Sequence, residues 1–79
     1  MTQAESGALI RVLRDHARIT QAELAEALLR GPDEVAAIEA GTLSLQLADA
    51  RNLVRVFDLD ERRARAMVDA SQCETRAAA

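Results

Sequence analysis

The chain has 79 residues, a formal net charge of -3, ten arginines but no lysine, one cysteine, and a single phenylalanine as its only aromatic residue. A chain this short buries only about 60% of its unfolded surface, so it holds one domain and has little stability to spare for a strained catalytic pocket. An enzyme is therefore not expected, and a binding module is favoured.

The apolar share is mostly Ala and Leu, which favours helices over strands. One cysteine cannot form an internal disulfide, and without a CxxC or Cys/His cluster no metal or cofactor is expected. An unpaired thiol suits a reducing compartment. The first seven residues lack a basic start, and no apolar run approaches the ~20 residues that cross a bilayer, so a cytoplasmic protein without membrane contact is expected. The Arg- and Ala-rich usage suggests a bacterial or phage source.

In chain order, Leu9, Leu13 and Ala17 repeat every four residues, while Arg11, Arg14, Asp15 and Arg18 share another face. This spacing predicts an amphipathic first helix over about 5–17. His16 on that helix has no second histidine or oriented nucleophile near it in sequence and reads as a surface residue. Thr20-Gln21-Ala22-Glu23 has the form of a capping box and starts a second helix near Gln21. Gly31-Pro32-Asp33-Glu34 starts a third, with a permissive N-cap, Pro at the first helical position and two acids in the first turn. It runs to about Ala40, where Gly41 supplies a left-handed stop.

Ser44 is expected to cap a fourth helix with Leu47, Ala50, Leu53 or Val54, and Phe57 on its buried face, and Asp49, Arg51, Asn52 and Arg55 largely elsewhere. A fifth helix follows over about 60–71, with Ala64, Met67 and Val68 as an apolar row. That row either joins two copies of the chain or closes the monomer core. The domain spans 1–72. Residues 73–79, including Cys73, form a tail expected to fray, with no function assigned to the thiol.

The short connection between the second and third helices is the layout of a helix-turn-helix, with the motif at about 21–40. Residues 9–59, from LIRVLRDHARITQAELAEALL through VAAIEAG to LVRVFDL, resemble the lambda-repressor/Cro-like (XRE) helix-turn-helix family. The resemblance implies an all-α, compact bundle of five short helices in which Leu24, Ala25, Leu28, Val35 and Ile38 pack the motif helices together. It also implies an ion pair between Arg14 and Glu39. The chain departs from the family at the turn, where Leu29 and Arg30 stand in place of Gly and an apolar residue.

By resemblance, the partner is double-stranded DNA, bound by a homodimeric repressor whose third helix enters the major groove. The DNA-binding candidates are Thr20, Gln21, Arg30, Asp33, Glu34, Ala37, Thr42 and Ser44. Charge by segment opposes this reading: residues 1–20 carry +1, residues 21–41 carry -4, and the remainder carries 0. A polyanion usually meets the opposite sign. The alternative is a protein-interaction module, such as an antitoxin, antirepressor or transcription cofactor, that docks another protein through the acidic third helix.

Overall fold

The computed structural model describes residues 1–77, with side chains through Gln72. The fifth helix continues to Ala77, past its expected end at about 71 and through most of the stretch expected to fray, whereas the Cys73 thiol and residues 78–79 lie outside what the structure describes. Five helices occupy the described span: α1 (Gln3–Ala17), α2 (Gln21–Leu28), α3 (Pro32–Glu39), α4 (Leu47–Phe57) and α5 (Glu61–Ala77).

Helix α1 starts two residues before its expected position because Thr2 and Glu5 form a capping box. The Thr2 hydroxyl accepts from the Glu5 amide at 3.1 Å, and the Glu5 carboxylate accepts from the Thr2 amide at 2.8 Å. The same arrangement recurs at Thr20 and Glu23, where the two distances are again 3.1 and 2.8 Å. Three helices stop on non-glycine residues in the left-handed region, Arg18, Leu29 and Asp58, while Gly41 supplies it after α3 at φ 80°.

Helix α5 packs against α1 and α4, and α2 packs against α3 and α4. The core formed between them contains Ile10, Leu24, Val35, Ile38, Leu45, Leu53 and Met67. On α1 the fully buried positions are Ser6, Gly7 and Ile10, with Leu9 and Leu13 half-buried and Ala17 exposed. Gly7 lies where α1 crosses the end of α3; a Cβ there would collide with the carbonyl oxygen of Ile38. Glycine is required by this close approach.

Two expectations need correction. Ala64, Met67 and Val68 are 0%, 0% and 2% exposed, so this row closes the monomer core and offers no surface to a second copy. Helix α5 packs on α1 and α4, the helices that carry Ile10 and Leu53. Polar ties reinforce the closure: the Ser6 hydroxyl donates to the Met67 carbonyl at 3.0 Å, and the Leu45 amide donates to the Ser71 hydroxyl at 2.7 Å.

The second correction concerns α4, whose N-cap is Gln46 rather than Ser44. The Asp49 carboxylate turns back to accept from the Gln46 amide at 2.7 Å, starting the helix at Leu47. Ser44 instead accepts from the Gln3 side-chain amide at 2.9 Å and donates to the Ser71 carbonyl at 3.2 Å, tying the loop before α4 to α1 and α5. Ala50 and Leu53 face the core as expected, but Leu47 is exposed and Asp49 is buried.

Candidate nucleic-acid interface

The geometry of the motif begins with five apolar side chains. Leu24, Ala25 and Leu28 of α2 meet Val35 and Ile38 of α3, and all five are buried. Ala25 is 1% exposed, and a larger side chain there would force the helices apart. Between them the chain turns through Leu29, Arg30 and Gly31, with the Arg30 amide donating to the Ala25 carbonyl at 2.8 Å. Gly31 then caps α3, Pro32 follows at its first position, and the Glu34 carboxylate accepts from the Gly31 amide at 2.9 Å.

A three-helix clasp holds the motif in place. Arg14 of α1 donates from Nε to Glu39 Oε2 at 2.7 Å, and from Nη2 to Oε1 at 3.3 Å. Its Nη1 reaches the Ile19 carbonyl at 3.0 Å. The Gln21 side-chain amide at the start of α2 donates to the same Glu39 Oε1 at 3.1 Å. The hydrogen bond to Glu39 raises the Arg14 pKa against the opposing effect of desolvation, so the guanidinium stays charged. The Gln21 amide is thus engaged inside the protein.

Arg30 forms a second clasp. Its guanidinium grips the Asp49 carboxylate through two bonds, Nε to Oδ1 at 3.0 Å and Nη2 to Oδ2 at 2.8 Å, while Nη1 reaches Glu34 Oε2 at 2.9 Å. The Asp49 and Arg30 side chains are 5% and 14% exposed. The bond to Asp49 raises the Arg30 pKa despite burial. Two parallel bonds in a fork geometry make this the stronger kind of ion pair. Arg30, a DNA-binding candidate by sequence, therefore faces inward and is held by two acids.

The remaining candidates divide by exposure. Thr20, Asp33, Glu34 and Thr42 are exposed, whereas Ala37 and Ser44 are half-buried. The Thr42 hydroxyl donates to the Ala37 carbonyl at 3.1 Å, completing the turn that ends α3. On the outward side of α3, Asp33, Ala36 and Ala40 are exposed in one row beside Ala37. That row carries no side-chain donor for a base edge. Glu23, Glu26 and Asp33 make the exposed charge of the helix pair negative.

Sequence reasoning missed Ala36 and Ala40, although both lie on the helical row through Asp33 and Ala37 and were open to the same periodicity argument. It also missed Asp49 as the partner of Arg30. These residues lie 19 positions apart, and no local pattern joins them.

The family model described as a helix-turn-helix domain, of the lambda-repressor type, matches residues 5–67. Neither the curated proteins nor the solved structures yield a match to this chain.

Proposed function

The chain belongs to this helix-turn-helix domain family, and from that premise we propose that it is a small cytoplasmic transcriptional regulator that represses by occupying promoter DNA. The observation that carries this reading is the solvent-facing row of α3, a helix tied to α1 and α2 by the Arg14–Glu39–Gln21 clasp. With Ala36 and Ala40 as its outward side chains, α3 presents a low profile to a groove and makes apolar contact with thymine methyl groups there. A homodimer would match two such helices to half-sites about one duplex turn apart, through a surface other than Ala64, Met67 and Val68.

A second reading is favoured by the neutralised Arg30. The outward charge of α2 and α3 then comprises Glu23, Glu26, Asp33 and the half-exposed Glu34, which suits a basic protein surface better than phosphates.

Fluorescence anisotropy with a pool of random DNA duplexes at several salt concentrations separates the two. The regulator reading expects binding at low salt, tighter for Asp33→Asn and lost for Ala36→Glu, since both positions are exposed and neither change disturbs the core. Absence of binding at low salt by the folded protein would leave the protein-docking reading in its place.

A further inference from the structure

Away from the motif, α4 and α5 enclose a groove of about 700 Å³ lined by Leu47, Ala50, Arg51, Val54, Arg55, Glu61 and Arg65. Its floor is apolar: Leu47, 63% exposed, continues through Ala50 to half-buried Val54 along one side of α4. Its rim is basic. Arg51, Arg55 and Arg65 are exposed, and none of their side chains makes an ion pair or hydrogen bond with another described residue, whereas the Arg14 and Arg30 side chains are engaged. Arg51 and Arg55 are four apart on one helix, a spacing at which like charges repel. Three arginines against one glutamate gather positive charge around exposed leucine in a chain whose net charge is -3.

We propose that this groove docks an acidic, amphipathic segment of a partner protein, with its carboxylates on the arginine rim and its apolar side chains on Leu47, Ala50 and Val54. Two features select this occupant. Phosphates alone would leave the apolar floor uncovered, and a duplex backbone has no apolar row to fill it. A second copy of the chain is a poor fit because its acidic α2–α3 surface carries one large exposed apolar side chain, Leu29. From Leu47 to Val54 the floor spans roughly 10 Å of helix, which a docking helix matches with two or three apolar residues at i, i+4 and i+7.

The test is selection of a phage-displayed library of random 16-residue peptides against the intact protein. The best binder is then synthesised and titrated into isotope-labelled protein. Enriched sequences are expected to combine Asp or Glu with Leu or Phe, and binding should perturb the amides of Leu47, Arg51, Val54, Arg55 and Arg65. The Arg51→Glu/Arg55→Glu protein, checked for an unchanged circular dichroism spectrum, should bind at least tenfold more weakly. Arg63→Glu, on another side of α5, should bind as the parent does.

Enriched peptides without acids, perturbations elsewhere, or binding indifferent to the charge reversal would overturn the proposal. Self-association without peptide that disappears on charge reversal would give the groove to a second copy. Duplex binding lost on the same reversal would give it to DNA phosphates.

Discussion

Arg30 shows why residue type alone does not define a contact surface. An arginine just before a recognition helix reads as a phosphate ligand, yet its guanidinium is held by Asp49 on one side and Glu34 on the other. Replacing Arg30 with Ala would leave the Asp49 carboxylate buried with only the Gln46 amide as a bonding partner. Removing one member of a buried pair costs about 3–5 kcal/mol, and the retained amide bond places this case near the lower end. Urea denaturation of Arg30→Ala should therefore show a loss of about 3 kcal/mol, with part recovered in Arg30→Met/Asp49→Leu, where neither charge is buried. A loss below about 1 kcal/mol in the single variant would mean that the pair is open to water in solution. The Arg14–Glu39 pair was legible because the family resemblance supplied both partners. The Arg30–Asp49 pair has no such guide, and the spacing of α4 places Asp49 outward.

Two helix starts were legible from a local signal, although the equally local Thr2/Glu5 box of α1 was not used. Thr20 with Glu23, and Gly31 with Pro32, announce α2 and α3 through bonds made within three residues, and the structure begins both helices there. Ser44 is the counterexample: it has the right chemistry for a cap, but Gln3 and the Ser71 carbonyl draw its hydroxyl away, and Asp49 performs the capping at Gln46. Those two partners are 41 and 27 residues from Ser44, beyond the reach of a local pattern. Gly7 carries no local sign either, since nothing in its neighbourhood reveals that α3 ends against it. Gly7→Ala would favour an isolated helix by about 1 kcal/mol. In the folded protein the added methyl group meets the Ile38 carbonyl and the Glu39 backbone, which cannot rotate aside. Overpacking of this kind costs roughly 1–3 kcal/mol, so the Gly7→Ala protein should melt at a lower temperature despite its better helix propensity. An unchanged or higher melting temperature would show that α1 and α3 separate without loss.

Over the whole molecule, charge is segregated in a way that bears directly on DNA binding. Arg11 and Arg18 lie exposed on and just after α1, and Arg51, Arg55, Arg62, Arg63 and Arg65 lie exposed on α4 and α5. The α2–α3 surface presents Glu23, Glu26 and Asp33, and the arginine of its turn is neutralised. A duplex approached through α3 therefore meets few free cations, and Arg18, close before α2, is among the few in reach. Each neutralised phosphate contributes about -0.9 to the slope of log affinity against log salt concentration, so two contacts give roughly -2. We expect anisotropy titrations between low and physiological salt to give that shallow slope, with weak affinity that depends on α3 more than on charge. A slope near -5 would require five or six phosphate contacts. The α2–α3 surface cannot supply them, so that result would mean the duplex lies against the arginines of α4 and α5 and that α3 faces away from it.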